Sequence, residues 1–202
     1  MKIYTRLLIV SLVVIGLSCS DDSTGPGGDS PGQLTMKVTG DIVAEKSGQV
    51  DFWSLSPGGE EGSLHIWHIS SNDLSPQTFS LDFTHMSPDP ITRPGTGTYA
   101  INAGVPAKPW EDPGPVEFSA TYTHIENGNF AGAVEYSTFM CNDKFPSGGS
   151  LTITSSSAEV VKGTFQFTAH HADVNPETME CELYGTIQVE GSFEAPERVP
   201  LF

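Results

Sequence analysis

Basic residues are scarce in this chain: nine lysines and arginines stand against 25 aspartates and glutamates, for a formal charge of −16. A field of that sign repels phosphate backbones and anionic lipid heads, so nucleic acid is excluded as a partner and docking through a polybasic patch is disfavoured. No stretch after Leu17 carries the apolar period of a long amphipathic helix. There is no GxSxG elbow, no HExxH, no CxxC and no facial-triad spacing, which removes the common signatures of serine hydrolases and metal enzymes. The histidines do not restore a metal reading. His65 and His68 are three apart in a strand-like run and so face opposite ways, and the adjacent His170 and His171 have the same problem.

What is present is turn-forming and strand-forming: 21 glycines, 15 prolines, 37% hydrophobic and 17% charged residues. That mixture suits many short strands joined by turns. The chain of 202 residues has room for one such domain plus a processed leader and a tether.

The leader is the most specific stretch. Lys2 and Arg6 precede Leu7 to Leu17, an uncharged apolar run that as a helix would cover about 16 Å against a hydrocarbon core of roughly 30 Å. It therefore reads as the h-region of a signal peptide and not as a spanning helix. Gly16-Leu17-Ser18-Cys19 follows, with a small residue directly before a cysteine, and resembles a relaxed bacterial lipobox. The resemblance implies cleavage before Cys19 and lipidation of its thiol, with a palmitate-type acyl anchor. Without the two leader cations, seven basic residues would face 25 acidic ones, a net of −18. Ser20-Asp21-Asp22 resembles the export signal of surface lipoproteins in the Bacteroidetes; the alternative is that these acids only solvate a linker. Residues 19–33 contain no large apolar side chain and read as a flexible tether.

From Leu34 onward the chain alternates with period two. Leu34, Met36 and Val38 share one face, as do Phe79, Leu81 and Phe83, and then Phe118, Ala120, Tyr122 and His124. Asn127-Gly128 is a tight-turn signal, after which Phe130, Gly132, Val134, Tyr136 and Met140 read as the partner strand. Strands around Leu151 to Ile153 and Val160 to Ala169 are joined by a serine-rich turn. The last strand, Cys181 to Phe193, is expected to turn Leu183, Ile187, Val189 and Phe193 to one side, with Gly185 and Gly191 marking bulges or close packing. The segment Gly104 to Pro115 is too proline-rich for a central strand and reads as a long loop. About ten strands with hairpin connections predict an all-β fold over residues 34–202, an antiparallel β-sandwich or, alternatively, a closed β-barrel.

The blocks GSLTITSSSAEVVKGTFQFTA (149–169) and ELYGTIQVEGSFEAP (182–196), with GTGTYAI (95–101) upstream, resemble a group of uncharacterised Bacteroidetes-type lipoproteins. The resemblance implies a β-rich domain at the cell surface and transfers no catalytic residue.

The remaining candidates follow from residue type. Cys141 and Cys181 are an even pair once Cys19 is lipidated, and either form a disulfide or remain two separate thiols. Trp67 and Trp110 are candidate ligand-binding aromatics, since flat rings stack on sugar faces; alternatively Trp53 and Trp67 fill the interior and Trp110 plugs one end. Asp173, Asn175, Glu177 and Glu180 place oxygen ligands at near-alternate positions, faintly like a calcium loop but without its glycine, and otherwise form a solvated turn. The acid pairs Glu60-Glu61 and Glu111-Asp112 sit in Gly/Pro-rich segments where adjacent acids are usually exposed charge. No cofactor is expected. The sequence thus predicts a lipid-anchored outer-membrane protein, exposed at the cell surface or facing the periplasm. Its domain is a non-enzymatic binding or structural module for a glycan, a peptide or an envelope protein; the alternative is a glycan or peptide hydrolase using loop carboxylates such as Glu111 and Asp112.

Overall fold

The computed structural model describes residues 32–55, 65–71, 77–87, 93–102 and 116–198. Cys19 with its leader, residues 19–31 of the expected tether, Glu60, Glu61, Trp110, Glu111 and Asp112 lie outside the described residues, while Gln33, placed in the tether, opens the first strand. Eleven strands run in chain order: β1 Gln33–Gly40, β2 Ala44–Gly48, β3 Val50–Leu55, β4 His65–Ser71, β5 Phe79–Ser87, β6 Gly97–Ile101, β7 Glu117–His124, β8 Val134–Ser137, β9 Gly148–Ser156, β10 Val160–Val174 and β11 Cys181–Pro196. The fold is all-β, and among the described residues there is no α-helix.

The strands form one sheet in the order β2-β1-β11-β10-β9-β6-β7-β5-β4-β3, with β8 pairing both β7 and β10. β5 and β10 stand four places apart in that order, about 19 Å along a flat sheet at ~4.8 Å per strand. Yet the rings of Phe83 on β5 and Phe165 on β10 have centroids 5.0 Å apart, and Phe83 lies 5.9 Å from Phe167. The sheet is therefore folded over on itself, and its two halves, a first of β2-β1-β11-β10-β9 and a second of β6-β7-β5-β4-β3, enclose a single core. This is the sandwich the alternation predicts. No ladder joins the two ends of the order, β2 and β3; instead β3 runs past the end of β11, where Phe52 bridges Glu197 and accepts a hydrogen bond from the Arg198 N–H at 2.8 Å.

The sheet is mixed and not purely antiparallel, because β6 pairs β7 in parallel. The connection from Ile101 to Glu117 has the length a parallel crossover requires, about a dozen residues or more. β2 is an eleventh strand that alternation does not announce: its sequence, AEKSG, has no apolar repeat, and it is an edge with no fully buried face.

Two long hairpin strands dominate the first half. β10 and β11 pair from Val160↔Pro196 to Val174↔Cys181, and their inward residues alternate as expected. Gly163 stands opposite Phe193, and Phe165 opposite Gly191. A β-carbon on Gly191 would approach Phe165 Cζ to 2.6 Å, and one on Gly163 would approach Phe193 Cζ to 2.8 Å. Each glycine thus leaves room for the phenyl ring of the facing strand, and the two rings stack at 6.4 Å and 29°.

Three expectations fail locally. Asn127 and Gly128 do adopt positive φ (52° and 73°), but the chain then enters a 3₁₀ turn, Phe130–Gly132. Phe130 is accordingly 62% exposed, and the partner strand is only Val134–Ser137. Met140 lies in the following turn. Leu183 is exposed although it shares parity with buried Ile187, because a bulge places one extra residue, Tyr184, between Gly185 and Leu183 opposite His171 and Ala172.

Candidate functional site

The outer face of the first half is concave. An open trough of about 870 Å³ crosses β2, β1, β11, β10 and β9. A second hollow of about 400 Å³ shares Lys37, Gln166 and Glu190 with it and continues the same face toward Thr39, Gln188, Thr168 and Gly148. Its lining follows directly from alternation. In each of these strands the residues between core positions are Thr, Ser, Gln, Lys or Glu: Thr35 lies between buried Leu34 and Met36, and Thr152 between buried Leu151 and Ile153.

Register turns these separate positions into rows. Ser47 faces Thr35, Thr35 faces Ser192, Ser192 faces Thr164, Thr164 faces Thr152 and Thr152 faces Thr98. Six neighbouring strands therefore present one unbroken line of hydroxyls. Thr35 and Ser192 hydroxyls are 3.2 Å apart, and those of Thr98 and Thr152 are 3.1 Å apart. The adjacent row reads Glu45, Lys37, Glu190, Gln166, Ser150, so its one lysine stands between two carboxylates. Nearby, Lys162 Nζ lies 2.8 Å from Glu194 Oε2.

The outer face of the second half is different. His68 Nε2 lies 2.8 Å from Asp82 Oδ1, and half-buried Trp53 packs on the imidazole at 4.5 Å. Inside the same half, Trp67 is buried against His85 at 5.2 Å and Phe118 at 6.2 Å. Trp67 is thus a core residue and not part of a binding face; its position on β4 carries it inward with Ile69. His85 Nδ1 bonds the Glu117 carbonyl at 2.6 Å, while its buried Nε2 has no hydrogen-bond partner among the described residues. Burial lowers the His85 pKa, against a smaller opposing effect of the Glu117 hydrogen bond, so the ring is held neutral. On β7, burial raises the Tyr122 hydroxyl to about 12, with the neighbouring Tyr136 adding to the effect.

One rim of the sandwich is tied by polar bonds. The Thr138 hydroxyl donates to the Asn102 carbonyl at 2.6 Å and accepts from the Ala120 N–H at 3.0 Å. Asn142 donates to Asn102 Oδ1 at 2.8 Å, and Ser147 donates to the Thr138 carbonyl at 2.8 Å. His170 is occupied at both nitrogens, by Thr186 at 2.9 Å and the Pro146 carbonyl at 3.1 Å, so it cross-links β10, β11 and the turn. Beside it Cys141 and Cys181 are joined by a disulfide with Cα atoms 5.9 Å apart.

Asn175, Glu177 and Glu180 lie in the turn between β10 and β11, and Asp173 lies at the end of β10, opposite Glu182. Asn175 Oδ1 accepts from the N–H groups of Glu177 at 2.9 Å and Thr178 at 3.3 Å, and its Nδ2 donates to Glu182. The asparagine side chain closes the turn, and among the described residues no group of three or more His, Cys, Asp or Glu is placed to hold a metal ion. The hydroxyl row was beyond single-strand reading: each Thr or Ser is an ordinary outward residue, and only the register aligns them. Comparison with known protein families, with curated proteins and with solved structures finds no match to this chain.

Proposed function

We propose that this chain is a lipid-anchored protein of the outer membrane, exposed at the cell surface, whose β-sandwich is a non-enzymatic binding module. The observation that carries the binding half of the reading is the trough: a concave face across five strands whose rim of hydroxyls and amides offers hydrogen-bond donors and acceptors, with two lysines, Lys37 and Lys46, balanced by Glu45 and Glu190. The anchor rests on the leader and on Cys19, and the resemblance of residues 149–169 and 182–196 to Bacteroidetes-type surface lipoproteins supports the same address.

The anchor is tested by metabolic labelling with an alkyne palmitate analogue. The wild-type chain should be labelled and globomycin-sensitive; a Cys19→Ser chain that is still labelled and membrane-bound would overturn the anchor. Protease shaving of intact cells should remove the domain if it faces outward. A turnover screen against soluble glycans and peptides should return no product, and turnover abolished by Glu111→Gln would replace the binding module with a hydrolase.

A further inference from the structure

We propose that the trough over β2, β1, β11, β10 and β9 binds a single chain of a neutral polysaccharide laid across the strands. The proposal rests on the binding-module reading and names the ligand class of that site.

The first argument is dimensional. The hydroxyl row from Ser47 through Thr35, Ser192 and Thr164 to Thr152 spans four strand spacings, about 19 Å at ~4.8 Å each. A pyranose unit in an extended chain is of the same order of length as the ~4.8 Å strand spacing, so a chain laid across the strands brings its sugars past successive strands. A trough takes one chain; a flat crystalline surface would need a flat face.

The second argument is chemical. A hydroxyl donates and accepts, so a line of Thr and Ser side chains matches a polymer whose own groups are hydroxyls in both roles. Gln166 and Gln188 in the adjoining rows add amide groups with the same dual capacity. No aromatic ring stands on the outer row, and recognition runs through hydrogen bonds and bridging water instead of ring stacking. Met36 and Phe165 also line the trough, but as a nearly buried floor, 5% and 4% exposed, beneath the hydroxyl row.

The third argument is charge. Lys37 and Lys46 line the trough together with Glu45 and Glu190; Lys37 stands between the two acids, and outside the lining Lys162 is paired with Glu194. A polyanion would have to displace or approach those carboxylates on a chain that is already strongly acidic. A cationic ligand would meet the lysines. An uncharged chain disturbs neither pair.

The test uses the full chain in detergent, probed by isothermal titration and affinity electrophoresis. Neutral probes are mixed-linkage β-glucan, glucomannan, dextran and their di- to hexasaccharides; anionic probes are polygalacturonate and hyaluronan. Saturable binding to at least one neutral probe is expected, tightening up to about four sugars and then levelling, as the ~4.8 Å spacing requires. Thr164→Val combined with Thr152→Val should weaken binding about tenfold or more through two lost hydrogen bonds. Thr121→Val with Thr123→Val, on the outer face of β7, should leave it unchanged. If the first pair fails to fold by its melting profile, Ser192→Ala with Gln166→Ala takes its place, with the same weakening expected.

Absence of binding to every neutral probe, or binding to anionic probes alone, would overturn the proposal. So would a trough variant that binds as the wild type does, which removes this groove while the binding-module reading stands. That reading fails separately, on the turnover result.

Discussion

β1, β9 and the greater part of β10 and β11 bury an entirely apolar set, among them Leu34, Met36, Val38, Leu151, Ile153, Phe165, Val189 and Phe193. β3, β4 and β5 bury Asp51, Ser71 and His85 along with their hydrophobics. Each of these polar groups has a specific use. Arg198 Nε lies 2.9 Å from Asp51 Oδ1, Ser71 Oγ accepts from the Leu81 N–H at 2.7 Å, and His85 Nδ1 bonds the Glu117 carbonyl. The first half is held by shape and area, which are non-directional. The second depends also on bonds whose loss leaves a buried group unsatisfied. Outside, the contrast is reversed: the first half displays the extended hydrogen-bonding row, and the second a compact His68–Asp82 pair under Trp53.

The largest expected effect comes from the ring the halves share. Phe83→Ala should cost about 3–5 kcal/mol in urea unfolding; a loss under about 1 kcal/mol would mean the halves do not depend on their common contact. Next is the disulfide at the rim. Replacing Cys141 and Cys181 by serine opens a loop of 40 residues and should cost about 4 kcal/mol in the chain-entropy account, read as a fall in melting temperature.

The third prediction separates the halves by pH. The His85 pKa is lowered in the folded chain, so the unfolded chain takes up the proton first. Stability from this group is complete above the ordinary histidine value of about 6.5 and is lost as pH falls below it toward the lowered folded value. Melting temperature should therefore drop between pH 7 and 5, and His85→Leu should flatten that slope; an equal slope in the variant would remove His85 as its source. The smallest effect belongs to the first half's surface. Lys162 and Glu194 are both well exposed, so Lys162→Met should change stability by less than about 1 kcal/mol, measured by the same unfolding curves.

The legibility of the sequence follows the same division. Strands whose two faces differ sharply announce themselves: Phe79, Leu81 and Phe83, or Phe118, Ala120 and Tyr122, alternate and are all buried. β2 was hidden because an edge strand with both faces partly exposed needs no apolar period. Phe130 misled because its hydrophobicity suggests a buried strand position, while the chain around it turns. Leu183 misled because a single-residue bulge reverses parity beyond Gly185. The trough was legible only as separate outward residues, since register between strands distant in sequence, such as Thr35 and Ser192, is a tertiary property.

The facing Gly–Phe pairs of β10 and β11 bear on how such a surface changes over time. Gly191 borders the trough and also lies over the Phe165 ring beneath it, so the floor of the outer face is the roof of the core. An inward substitution such as Gly191→Ala would push against Phe165 and the Thr35 carbonyl and alter the trough's contour from below. Selection on the contour of this face therefore acts on interior glycines as well as on the hydroxyls above them, and a mutant hunt confined to exposed positions would overlook part of the heritable shape.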